Sequence, residues 1–548
     1  MRRRMGRHHR KGCEMNDLMI NRRAFGLGAG ATILAGGMSP AALAQETPRR
    51  GGVLTVQTYS DLRTLNPAMR ASYAIHIYTS KMVEPLVDLG VDNQPVPKLA
   101  TSWSSSADGK TITFKLREGV KWHDGKPFTS ADVQFCAMEM WKKYQNYGTL
   151  LHRFLSAVDT PDPHTAVFRY DQPMPMELLL RAACELCYVV PKHVFEGTDL
   201  LKNPANLAPV GTGPFKFVSY APGQNLIMER NPDYWVAGQP YLDRLIIRVI
   251  NDAAATTASL ESGDVQASFF SAIPRTDIVR LAKDNRFRVG TKGNEAYTIL
   301  NTIGFNTRKK ELADVRVRRA LAHAVDLNFY CEEFLMGYGK PAKGPIPSTS
   351  SFFVPGSAQE YPYDPKKAEA LLDEAGFKKG PDGTRMSLRL MPNQSDDIRA
   401  FATYIQQSLQ KIGVKVNIEL LDAAGYIAKV NRDWDFELCT DTNLYRGDPG
   451  VGSTIWFQSG VPAGTPWSNQ FGWTSPKLDK LVEDALVETD SPKRKAMYGE
   501  FVKLATDEIP VLMALEQVFI SVASAKLRND HNSPRWPGTS WADVWIAS

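Results

Sequence analysis

Beyond residue 44 the chain has no net charge. Residues 1–44 hold eight Lys or Arg against two acids, so the 65 basic and 59 acidic residues of the whole chain reduce to 57 of each in the remainder. A surface balanced in this way has no electrostatic footprint for nucleic acid or for an anionic membrane. Cysteine is scarce, at six residues, and Cys13 lies within the first 44. Of the others only Cys184 and Cys187 are closely spaced, as Cys-x-x-Cys. They have neither a second metal pair nor a thioredoxin-like pattern around them, so they read as a local disulfide or two buried thiols; His193 is the one neighbour to invoke for a metal. Gly-x-Ser-x-Gly, His-Glu-x-x-His and Gly-x4-Gly-Lys-Ser/Thr are all missing, which removes the sequence signs of an esterase elbow, a zinc peptidase and a P-loop. An unbroken membrane-spanning run is also missing, because residues 24–44 are interrupted by glycines and by Pro40.

What is present begins with an export leader. Arg2, Arg3, Arg4, Arg7, Arg10 and Lys11 form a basic start, Arg22-Arg23 stand before Phe25, and a weakly apolar Ala/Gly run ends in Ala42-Leu43-Ala44. This order predicts a twin-arginine signal peptide over 1–44, cleaved before Gln45. No cysteine at the cleavage point offers a lipid anchor, so the expected product is released into a Gram-negative periplasm and is not embedded in the membrane. A chain of 548 residues exceeds one hydrophobic core and predicts several lobes.

The most informative stretch is 97–133. Ile112, Phe114 and Leu116 alternate with polar residues, as in a strand with one buried face. Ala107-Asp108-Gly109-Lys110 and His123-Asp124-Gly125-Lys126 are turns. Thr129 and Asp132 form a capping box, and Val133, Cys136, Ala137, Met140, Trp141 and Tyr144 predict one apolar helical stripe after it. The wording of this passage resembles the signature of the extracellular solute-binding proteins of the peptide, opine and nickel family. The matching phrases are Leu99-Ala100, Ser102-Trp103, Asp108-Gly109-Lys110, Leu116-Arg117-Glu118-Gly119-Val120-Lys121, Trp122-His123-Asp124-Gly125, Pro127-Phe128-Thr129 and Ala131-Asp132-Val133. Gly211-Thr212-Gly213-Pro214-Phe215, Asn231-Pro232-Asp233-Tyr234-Trp235 and the helix from Val315 to Asp326, capped by Asp314, extend the likeness. From their residue types alone Gly211 and Gly213 suggest unusual φ values, and the arginines of the helix from Val315 a solvated face.

The resemblance implies a two-lobed α/β periplasmic binding protein fold (type II-like, cluster C) with an extra inserted domain. The expected division is 45–90, 207–296 and 516–548 for the first lobe, 91–206 for the small domain and 297–515 for the second lobe, with Ile509 to Leu515 carrying the chain back to the first. Alternation within 297–515 supports α/β: Ala368, Leu371, Leu372 and Ala375 make a helix stripe after Asp364-Pro365, and Ile398, Phe401, Ala402, Ile405, Leu409 and Ile412 another. Val414, Val416, Ile418 and Leu420 predict a strand, as do Trp434, Phe436 and Leu438.

Open α/β sheets bind ligands beyond the carboxyl ends of their strands, which directs attention to the stretch after Leu438. Asp441 matches the aspartate with which peptide-binding members receive an α-ammonium, and Asp448-Pro449 matches a second family phrase. The spacing between them is longer than in those members and includes Tyr445 and Arg446; the arginine suits a carboxylate. Expected solute contacts are Asp441, Asn443, Tyr445, Arg446, Asp448, Trp456 and Tyr73, with Phe457 and Trp467 near the aromatic wall. The resemblance implies a monomeric receptor that closes on a peptide or other small solute and delivers it to the permease of an ABC importer. It implies no cofactor, no metal, no nucleic-acid partner and no catalysis. The alternatives are a secreted hydrolase with a dispersed catalytic pair and a binding protein that serves a chemoreceptor or sensor kinase.

Overall fold

The computed structural model describes residues 46–59 and 62–548; the predicted leader, 1–44, lies outside the described residues. Three principal sheets organise the chain. The first has seven strands in the spatial order Phe287–Gly290, Ser521–Ser524, Ala267–Ser268, Val53–Thr58, Arg244–Val249, Asn225–Arg230, Phe215–Ala221. Val53–Thr58 sits near its middle, parallel to both Arg244–Val249 and Ala267–Ser268, and five of its six residues are buried. Leu54 and Val56 of this strand enter the core, and the buried Gln57 is satisfied by donating to the Ile250 carbonyl (2.8 Å) and accepting from the Ser268 hydroxyl (2.7 Å).

The second sheet has six strands, ordered Gly339–Pro341, Val511–Val518, Thr298–Phe305, Leu438–Leu444, Met386–Pro392, Val414–Ile418. Helix Asp396–Gln410 buries Ile398, Phe401, Ala402, Ile405 and Leu409 against it, and Leu388, Leu390, Val414 and Val416 supply the sheet side of that core. The third sheet, Ala100–Ser105, Thr111–Leu116, Thr165–Tyr170, Leu155–Asp162, is an antiparallel unit within 97–170. The main chain crosses between the first two sheets twice, after Gly290 and after Val518.

Several sequence expectations change here. The stripe predicted after Thr129 is buried at Val133, Cys136, Ala137, Met140 and Trp141 and the capping box forms, but the α-helix Ser130–Phe135 passes into a π-helical turn over Cys136–Trp141, and Tyr144 is exposed. The strand Val414–Ile418 stops before Leu420, which faces solvent. Trp434 and Phe436 precede a strand instead of forming one, because Trp434 takes a positive φ of 53° and turns the chain beneath the Arg308 guanidinium, 3.9 Å from its ring. The strand itself is Leu438–Leu444, so Asp441 and Asn443 lie within it and not in a loop beyond it. Val511–Val518 belongs to the second sheet, and the return to the first comes only with Ser521–Ser524.

Two motifs hold for reasons other than those read from the sequence. Gly211 and Gly213 have ordinary φ; a Cβ on Gly211 would lie 1.8 Å from the Met82 carbonyl oxygen, so close backbone approach demands glycine there. Arg318, within the predicted solvated face, is buried, and its guanidinium donates to the carbonyls of Leu312 (2.7 Å), Ala313 (2.9 Å), Glu508 (2.6 Å) and Ile509 (3.2 Å). It caps carbonyls that would otherwise be buried without donors.

Candidate functional site

A cavity of about 1040 Å³ is walled by segments of distant sequence: Arg70 to Ile75, Asn146 to Leu150, Thr442 to Arg446, and Val451 to Trp467. That volume lies at the upper end of small-molecule sites. The Leu438–Leu444 strand supplies its floor. Thr298–Phe305 pairs with this strand along its whole length, whereas Met386–Pro392 pairs only with Leu438, Cys439 and Thr440. Asn393 N–H to the Thr440 carbonyl (3.0 Å) is the last rung on that side, and Tyr445 N–H to the Thr298 carbonyl (2.9 Å) fixes the phase of the other. Antiparallel alternation then turns the backbone groups of Thr442 and Leu444 away from Thr298–Phe305 toward a side where no strand continues. Thr442, Asn443 and Leu444 all line the cavity there.

Asp441 lies in this strand, 2 % exposed. Its carboxylate accepts from Asn393 Nδ2 and from the Thr442 N–H, both at 2.7 Å, and from the Tyr426 hydroxyl at 3.2 Å. No cation pairs with it among the described residues. Burial raises its pKa from 3.8 to about 6, against the lowering effect of its hydrogen bonds to Asn393, Thr442, Tyr426 and Trp467. Trp467, at the cavity margin beside it, is half exposed and has a φ of 55°. Asn443 presents a buried amide nitrogen that has no partner among the described residues, a donor available to a solute oxygen.

The remaining expected contacts divide. Trp456 lines the cavity, almost fully buried and stacked on Phe471 at 6.1 Å. Arg446 lines it too, but its Nη1 donates to Glu185 at 2.9 Å and its guanidinium lies 4.1 Å from the Tyr147 ring centre. Asp448 is fully buried and engaged elsewhere: both oxygens accept from Arg494, at 2.6 and 2.8 Å, and Oδ1 also takes the Gly450 N–H at 2.9 Å. Tyr445 turns away from the large cavity and hydrogen-bonds Ser350 (2.6 Å) and the Gly447 carbonyl (3.1 Å). Tyr73 is buried among Phe270, Tyr297 and Phe519 and donates to Asn294 at 2.9 Å, which puts it beside the two chain crossings. Cys184 and Cys187 are separate buried thiols, and His193 pairs with Asp124 at 2.7 Å. No group of metal-ligating side chains occurs among the described residues. Arg70, Tyr147, Asn393 and Tyr426 were not singled out from the sequence; only Asn393 carried a usable sign, its place at the carboxyl end of a strand.

The signature phrases converge on structure behind the site. Glu84, fully buried, accepts from the Tyr234 hydroxyl (2.7 Å), the Trp235 indole (2.8 Å) and the Thr212 hydroxyl (2.9 Å), and pairs with Lys98 at 3.1 Å. His123 accepts the Gly211 N–H at Nδ1 (3.2 Å) and donates from Nε2 to the Gly213 carbonyl (3.0 Å), a pair of bonds only the neutral ring can make. Burial lowers its pKa to about 4, in keeping with that state.

Two sheet-built lobes joined by two crossings, with a large cavity walled by the strand that carries the buried, cation-free Asp441 carboxylate next to the lining residue Thr442, define a solute-binding protein of the two-lobed periplasmic type. The comparisons narrow this. The profile of the bacterial extracellular solute-binding proteins, family 5 (middle region), matches residues 94–474, and the chain belongs to that family. It is 32 % identical over 460 residues to a Brucella ovis protein provisionally named an ABC transporter peptide-binding protein, covering 81 % of this chain and 84 % of that one. It is 29 % identical to the oligopeptide-binding protein AppA of Bacillus subtilis, covering 75 % and 76 %. The structure of that AppA with a nonapeptide matches at a TM-score of 0.77 and 24 % identity, over 92 % of this chain and 100 % of the other. NikA of Brucella suis with Fe(III)-EDTA matches at 0.77 and 23 %, over 89 % and 99 %.

Proposed function

We propose that this protein is an exported receptor that takes short peptides with a free amino terminus into the cavity and hands them, unchanged, to the permease of an ABC importer. One observation carries the reading: the Asp441 carboxylate is buried, held by neutral donors, and has no cation. A buried charge of this kind is stabilised most by an ammonium brought to it. Apart from the Thr442 N–H, which the Asp441 carboxylate takes, the backbone groups of Thr442 and Leu444 on the open flank of the Leu438–Leu444 strand support an extended peptide as the rest of the solute, because peptide backbone can extend a ladder that no other strand continues. The names of the Brucella ovis relative and of AppA agree with this choice.

The delivery step calls for closure of the two sheet-built lobes about the crossings after Gly290 and Val518, with the solute favouring the closed form. A twin-arginine leader over 1–44, residence in a Gram-negative periplasm and a monomeric state complete the proposal. Calorimetric titration with short peptides and their N-acetylated forms tests it. Binding of the free amines with loss of affinity on acetylation is the expected outcome; equal affinity for both forms refutes the role of Asp441.

A further inference from the structure

The cavity wall carries two guanidinium groups in different electrostatic states. Arg446 is paired with Glu185 of helix Met176–Leu186 at 2.9 Å, with both side chains less than one-tenth exposed, and Tyr147 covers its face. Inside a shielded wall such a pair attracts far more strongly than at a surface. A solute carboxylate approaching Arg446 therefore meets a charge already compensated, and capturing it would leave Glu185 buried without its partner. Arg70 borders the same cavity, is exposed, and forms no ion pair with any described residue. It comes from the segment before helix Tyr73–Thr79, a different wall from the strand that bears Asp441.

Resting on the peptide reading above, we infer that Glu185 is a specificity-determining residue: it withholds Arg446 from the solute and leaves Arg70 as the group that receives the peptide's carboxylate. The cavity then selects zwitterionic peptides, with the ammonium at Asp441 and the carboxylate at Arg70, and disfavours solutes that carry additional acidic groups near Arg446. Guanidinium groups are well suited to this role because they meet a carboxylate with two parallel donors.

The test uses a defined set of alanine-rich tri- to pentapeptides, each as the free acid and as the C-terminal amide, titrated into wild type, Arg70→Gln and Glu185→Gln. Wild type is expected to prefer the acids. Arg70→Gln, at an exposed position, should lose about tenfold or more in affinity for the acids and little for the amides. Glu185→Gln should raise the preference for acids, and should restore part of it in the Arg70→Gln background, because Arg446 is released. A merely structural role for Glu185 would weaken acids and amides alike. An acid-to-amide ratio unchanged in Arg70→Gln overturns the inference while peptide binding stands; failure of wild type to bind any of these peptides overturns the peptide reading, and the inference with it.

Discussion

Asp441 makes the site expensive to fold. Lifting a carboxyl pKa from 3.8 to about 6 disfavours its ionised form by about 3 kcal/mol. The folded protein then binds more protons than the unfolded chain between those values, so this group's contribution falls as pH rises through the window and is fully unfavourable above about pH 6. Asp441→Asn should accordingly raise the unfolding temperature at pH 7.5, by up to about 3 kcal/mol of stability, with the gain shrinking toward pH 4. The same variant should bind amine-bearing peptides about 2–5 kcal/mol more weakly. Wild-type affinity for them should drop as the pH falls below about 6, since protonation removes the charge the ammonium needs. Asp448 gives the opposite pattern. Asp448→Asn breaks a buried pair with Arg494 and should destabilise the fold by about 3–5 kcal/mol, seen in chemical denaturation, while the molecules that remain folded bind as wild type. From sequence these two aspartates were equivalent candidates. What separates them is Arg494, 46 residues beyond Asp448 in the chain and against its carboxylate in space.

At the level of elements, local signals were legible and distant ones were not. The capping box at Thr129 forms as its spacing predicts, and so do the caps at Asp314 and Asp364. Thr129→Ala should cost about 1 kcal/mol in a denaturant titration. The π-turn at Cys136–Trp141 and the burial of Arg318 were illegible because tertiary partners decide them. The two glycine motifs make this contrast measurable. Gly125 has a φ of 87°, and a Cβ added there would meet nothing within 4 Å, so Gly125→Ala should cost only the left-handed backbone penalty of about 1–2 kcal/mol. Gly211→Ala must push apart the backbone at Met82 and should cost about 3 kcal/mol or more, and it should loosen His123, which holds the Gly211 N–H. The family phrases around His123 and Gly211 are thus two halves of one contact, separated by 88 residues.

For the molecule as a whole, alternation and the family phrases were enough to expect two α/β bodies and a smaller antiparallel unit. They placed the return to the first sheet too early, because Val511–Val518 is as apolar as any strand of either sheet. They also put Tyr73 at the solute; it packs among Phe270, Tyr297 and Phe519 at the chain crossings. The cavity itself was only half legible, since its Thr442 to Arg446 wall is one continuous stretch whereas Arg70 and Tyr147 reach it from elsewhere, and Glu185 stands behind Arg446 from a distant helix. The proposed function requires a solute with a basic amine held at Asp441 and released intact. Mass spectrometry of small molecules extracted from natively exported wild-type protein and from Asp441→Asn tests that most directly. Short peptides with free amino termini, recovered intact from the wild type and missing from the variant, are the predicted result; the same compounds from both, or a retained solute without an amine, would contradict it.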